Sequence, residues 1–168
     1  YPARPLVEPA KIAGVPIRKL LENLKLPEYR TRYRTRRELR GRDPEQVLVA
    51  VKAWTKTLNQ SDPAYEHHLV EALWLTWGLN RIDETLLREL LQANDFRARC
   101  AAVRVLRYNG HRIKNQAALL AAAAKDPHGR VRLEATVAAT WLAPDPGRAV
   151  FDQAPANDHK RLNDVYGA

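Results

Sequence analysis

The sequence predicts an all-α fold, a stack of about five helix pairs wound into an α-solenoid. Three observations predict it. Residues 28–40 and 95–107 are two copies of one short helix, aligned without a gap at an offset of 67. In both copies an acid (Glu28, Asp95) precedes an aromatic (Tyr29, Phe96), an Arg-x-Arg (Arg30 and Arg32, Arg97 and Arg99) and an Arg-x-Leu-Arg ending at Arg40 or Arg107. A third copy opens at Asp126 and sets Arg130 and Arg132 on Arg97 and Arg99 at an offset of 33, and His67–Leu79 matches Arg130–Leu142 at 63. These offsets are about one and two multiples of a unit in the low thirties, the size of a helix-pair repeat. No segment shows sustained strand alternation.

The elements follow in order. Residues 1–10 carry Pro2, Pro5 and Pro9 and read as an extended arm, with residues 11–168 as the repeat domain. Pro16 opens a helix with Leu20, Leu21 and Leu24 on one face, and Pro27 separates it from 28–40, which Gly41 closes. Asp43-Pro44 is an N-cap followed by a helix-opening proline, with Val47, Val51, Trp54 and Leu58 behind it. Asp62-Pro63 repeats the device before a helix ending at Gly78–Asn80. Asp83 caps a Leu-rich helix, Asn109-Gly110 ends its partner, and Ala117–Ala124 is a strong helix former. Asp126-Pro127 turns into the next helix, which Pro144 and Pro146 stop. The expected pairs are 16–24 with 28–40, 44–59 with 64–79, 84–92 with 95–109, 113–124 with 129–142, and a degenerate terminal pair, 147–153 with 157–166. Turns of about 2–6 residues suit antiparallel hairpins.

The chain has 168 residues, 45% apolar and 28% charged, an ordinary composition for a globular domain. The longest apolar candidate, Leu69 to Leu79, contains Glu71 and falls short of the roughly 18 residues of a membrane span. With no Met and no charged-then-apolar leader, the chain is expected to be a cleaved or excised piece of a longer protein. Cys100, alone, excludes an internal disulfide and reads as a small buried hydrophobe. Of the net charge of +9, residues 1–42 hold +8, from twelve Lys/Arg against four Glu, and seven of those arginines lie between Arg30 and Arg42.

The Asp-Pro-x-x-Arg-x-Arg-x-x-Ala word around Asp126 resembles HEAT repeats, in which a turn acid and a helix arginine recur as a ladder. That resemblance implies a right-handed solenoid and ladder roles for Asp95, Asp126, Arg97, Arg99, Arg130 and Arg132. Residues 24–40, 65–74, 97–108 and 129–135 are more specifically similar to the HEAT segment of large secreted proteins of planctomycetes and verrucomicrobia, the membrane-bound dehydrogenase or haem-binding family. In that family a β-propeller precedes the segment and a cytochrome c domain follows it. The resemblance covers most of residues 11–142 and implies a connecting scaffold in a periplasmic or other extracytoplasmic electron-transfer protein. Haem c would then belong to the parent protein. This chain has no Cys-x-x-Cys-His and no Met, so no catalytic or cofactor residue carries over.

Arg30, Arg32, Arg34, Arg36, Arg37 and Arg40 are the candidate partner-binding residues. On a helix Arg30, Arg34 and Arg37 share one face and Arg32 and Arg36 another. They fit docking on an acidic neighbouring domain. The alternative is a grip on nucleic-acid phosphates, with Tyr29 and Tyr33 available to stack on bases. Adjacent His67 and His68 point about 100° apart and cannot clamp one metal, and His67 with Glu71 is a ligand short of most zinc sites. Trp54, Trp74, Trp77 and Trp141 sit at helical apolar positions, as core residues do. Without a Gly-rich phosphate loop, a Ser-His-Asp set or a spaced carboxylate pair, enzyme activity, a cofactor and a metal are not expected of the chain itself.

Overall fold

The computed structural model describes residues 8–155. Among them all regular structure is helical: nine α-helices, a single 3-10 turn and no strand. The chain forms two compact units that meet in sequence between Ile82 and Asp83.

The first unit holds α1 (Ile17–Asn23), α2 (Tyr29–Arg40), α3 (Pro44–Thr55) and α4 (Tyr65–Gly78). Helix α1 packs on α2 and α3, and α4 packs on α2 and α3, so α1 with α3 and α2 with α4 form two layers. Leu20, Leu21 and Leu24 at the end of α1, Leu39 of α2, Val47 and Val51 of α3 and Leu73 of α4 are buried between the layers. Asp43 accepts the Gln46 N–H at 2.8 Å with Pro44 behind it, as the sequence predicts. Asp62 acts differently: it accepts the Ala64 N–H at 2.8 Å in a tight turn, and α4 starts only at Tyr65. At the far end Asn80 adopts φ 60° and the Arg81 N–H reaches the Thr76 carbonyl at 3.0 Å, closing α4 with a Schellman turn. A Cβ on Gly78 would lie 2.7 Å from Arg40 Cδ, so glycine lets the Arg40 stem lie across the end of α4.

The second unit holds α5 (Glu84–Leu90), α6 (Phe96–Asn109), the 3-10 turn (Gly110–Arg112), α7 (Gln116–Ala123), α8 (Gly129–Ala139) and α9 (Pro144–Phe151). Helix α6 packs on α5, α7 and α8, and α9 on α7 and α8. Ala98, Ala101 and Ala102 of α6 and Ala135, Ala138 and Ala139 of α8 are buried, small residues that let two helices approach closely.

Several expected boundaries move. Helix α3 ends at Thr55 rather than 59. Helix α7 begins at 116 rather than 113, because the 3-10 turn and the left-handed Asn115 (φ 63°) intervene. The prolines expected to stop α8 instead open α9: Pro144 takes its first position, where no backbone N–H is needed, and α8 has already ended at Ala139. Trp141, expected in the core, lies past that end and is 56% exposed. The helix expected over 157–166 lies outside the described residues, as do residues 1–7 of the arm; residues 8–10 have no regular structure.

Candidate functional site: the two arginine faces of α2

Helix α2 divides its arginines by face. Arg32 and Arg36, four apart, turn inward toward Glu71 of α4, a carboxylate with no solvent exposure. Arg32 Nε donates to Glu71 Oε1 at 2.9 Å and Arg36 Nη1 to Oε2. Two cations on one buried carboxylate neutralise it and fill its acceptor sites. Arg36 also lies over Trp74, 5.4 Å from the ring centroid, and over Tyr29 at 6.0 Å. His67 Nε2 stands 3.8 Å from Glu71 Oε1 and is itself half-exposed, so this carboxylate belongs chiefly to the arginines. Among the described residues no group of three or more His, Cys, Asp or Glu is placed to hold a metal.

The outward face carries Arg30, Arg34 and Arg37, all exposed and, among the described residues, without an ion pair or side-chain hydrogen bond. Tyr29 (60% exposed) and Tyr33 (42%) lie beside them, stacked on each other at 6.3 Å. Arg40 is exposed with its stem on Gly78, whereas Arg42 folds back on Glu38 at 2.6 Å. Of the six residues expected to meet a partner, Arg32 and Arg36 are therefore occupied inside the unit, and Arg30, Arg34, Arg37 and Arg40 remain at the surface.

The second arginine of each Arg-x-Arg makes the same backbone clamp. Arg32 Nη1 donates to the carbonyls of Leu26 and Pro27 at 2.7 and 2.6 Å. Arg99 does so to Ala93 and Asn94 at 2.7 and 2.9 Å, and Arg132 to Asp126 and Pro127 at 2.7 and 3.0 Å. These carbonyls end one helix and open the next, where the chain has no helical donor to offer. The Nε atoms differ: Arg32 Nε has Glu71, Arg99 Nε has Asp126 at 2.6 Å, and Arg132 Nε is buried without an acceptor. Asp126 would be pushed up by burial, but the Arg99 hydrogen bond, the His128 N–H and the Arg99 charge outweigh this and hold it below the usual carboxylate value.

Of the residues expected to form a ladder, Arg99 and Asp126 pair across 27 residues, and Arg132 holds only the carbonyls of its own turn. Asp95 caps α6 through the Arg97 N–H at 2.8 Å and holds the exposed Arg97 side chain locally, and Arg130 points to solvent. Arg97 and Arg130 make no rung because the first position of each Arg-x-Arg lies about 200° around the helix from the third.

Sequence reasoning placed the two α2 faces but not the acceptor, having set Glu71 beside His67. A signal was present: the offset of 63 lays Glu71 on Glu134, and Glu134 likewise takes an arginine of the preceding repeat helix, Arg104. The stack of Phe96 on His128, centroids 3.6 Å apart and 7° from parallel, had no sequence signal. Cys100 is only half-buried, with its thiol pushed up to about 11 by burial and by the Glu134 charge. Chemically, the outward face of α2 offers exposed planar cations, unpaired among the described residues, beside aromatic rings, a surface suited to carboxylates or phosphates. No family model matches the chain, and no curated protein or solved structure matches it either.

Proposed function

We propose that this chain is a non-catalytic scaffold, a right-handed α-solenoid of HEAT-like pairs, that docks an acidic neighbouring domain on Arg30, Arg34 and Arg37 of α2. The observation that supports it is the division of labour on that helix. Arg32 and Arg36 share the Glu71 carboxylate, whereas among the described residues the three outward arginines have no acid of their own. On the resemblance to the dehydrogenase and haem-binding family, the docked domain belongs to the same extracytoplasmic electron-transfer protein.

A second reading, phosphate-backbone binding to nucleic acid, is favoured by one observation, the exposed Tyr29 and Tyr33 beside the same arginines. One titration separates the two: the chain against labelled duplex and single-stranded DNA at about 50 and 200 mM salt, the range over which phosphate contacts weaken steeply. Docking expects no tight DNA binding at low salt, together with binding to polyglutamate that is lost in an Arg30→Ala, Arg34→Ala, Arg37→Ala variant. Tight DNA binding that collapses with salt and with the same substitutions would replace docking with the nucleic-acid reading.

A further inference from the structure

The second unit carries a cation that the α2 face does not explain. Arg107, in the last turn of α6, lies against two rings: its guanidinium is 5.2 Å from the centroid of Tyr108 and 5.1 Å from that of Trp141. The rings meet edge to face at 5.2 Å, and both are exposed, Tyr108 by 41% and Trp141 by 56%. Arg107 Nε is buried without an acceptor, and among the described residues the side chain has no ion pair. Its neighbour Arg104 is already neutralised by Glu134.

The first unit shows the same assembly completed. Arg36 lies on Trp74 at 5.4 Å and gives its free edge to the Glu71 carboxylate. In the second unit the arginine and the tryptophan are present, but among the described residues no carboxylate pairs with this arginine. A guanidinium over aromatic rings is partly shielded from water while its N–H donors stay available to a planar carboxylate. Exposed Trp and Tyr around an anchored Arg are the residue types that dominate the energy of protein interfaces.

We propose that Arg107, Tyr108 and Trp141 form a docking site for an acidic segment of a partner protein. One carboxylate of that segment pairs with Arg107, and an adjacent apolar side chain covers Trp141. A single unpaired cation matches one carboxylate rather than the run of phosphates of a nucleic-acid backbone. The site lies in a different unit from the α2 arginines, so it stands or falls separately from the proposed function.

The test titrates the whole chain carrying Arg30→Ala, Arg34→Ala and Arg37→Ala, which removes the α2 face as a second acidic-peptide site, with a fluorescein-labelled peptide of alternating Glu and Leu and with its Gln counterpart. The expected result is binding of the Glu peptide alone, weakened about tenfold or more when Arg107→Gln or Trp141→Ala is added. Trp141 lies outside any helix and is largely exposed, so its variant keeps the fold, which a thermal melt checks. The proposal is overturned by no binding of the Glu peptide or by equal binding of the Gln peptide. It is also overturned if binding survives both site substitutions, or if a single-stranded oligonucleotide binds through Arg107 while the peptide does not.

Discussion

Arg99 grips Asp126 with a two-pronged fork, Nε to Oδ2 at 2.6 Å and Nη2 to Oδ1 at 2.9 Å, while Nη1 holds the carbonyls of Ala93 and Asn94. One side chain thereby fastens the entry of α6 to the turn that precedes α8. Arg132 repeats the carbonyl half of this arrangement without the fork.

The first prediction follows from that difference. Arg99→Ala leaves a largely buried Asp126 carboxylate without its cation and costs about 3–5 kcal/mol, whereas Arg132→Ala costs less because no carboxylate is orphaned. Urea denaturation of the two variants gives the comparison. Losing Arg99 also removes its hydrogen bond and charge, leaving chiefly the His128 N–H against burial of Asp126, so the carboxyl titrates at higher pH. In the parent the contribution of Asp126 is present above the ordinary carboxylate pKa of 3.8 and lost as pH falls through the lower folded value; in the variant, whose folded value is no longer held down by Arg99, this loss on acidification shrinks or disappears. Carboxyl NMR of Asp126 reads the shift directly.

The two faces of α2 predict opposite phenotypes. Replacing Arg30, Arg34 and Arg37 with Ala changes stability by no more than about 0.5 kcal/mol per site, as for exposed residues without partners, yet removes polyanion binding. Glu71→Ala strands two inward arginines and costs about 3–5 kcal/mol, while the outward surface stays intact in whatever fraction remains folded. Melting curves and polyglutamate titrations on the same variants separate the faces.

His68 makes the first unit sensitive to mild acid. Burial, partly opposed by the Asp62 charge, lowers its pKa below 6.5. The folded chain therefore resists a proton that the unfolded chain accepts near pH 6.5. Stability present above that pH declines as pH falls through 6.5 toward the lower folded value. Urea midpoints at about pH 7.5 and 5.5 should differ in the parent and converge in His68→Phe.

Cys100 should be a slow thiol. A value near 11 leaves about a thousandth of it as thiolate at pH 8, so alkylation should run roughly a hundredfold slower than for a free cysteine. Denaturant should restore the ordinary rate. Fast labelling of the native chain would contradict the burial of its sulfur.

Helix α2 shows how much of the site was legible before folding was considered. The 100° step of a helix is a local property, so the separation of Arg30, Arg34 and Arg37 from Arg32 and Arg36 follows from their positions alone. The same holds for the repeated helices and for the caps at Asp43 and Asp83, where a side-chain oxygen answers an N–H three residues away. Trp141 was misjudged because helical periodicity was extended past the point where α8 ends.

The sequence by itself determined the all-helical character of the described chain, the order of its elements and the face on which each arginine sits, because propensity, capping and periodicity act over a few residues. Only the tertiary structure decided which acid each arginine meets. Arg32 finds Glu71 thirty-nine residues away and Arg99 finds Asp126 twenty-seven away, and Arg107 finds rings but, among the described residues, no acid. Those choices depend on how closely neighbouring helices pack, which the buried alanines and Gly78 set by what they leave out.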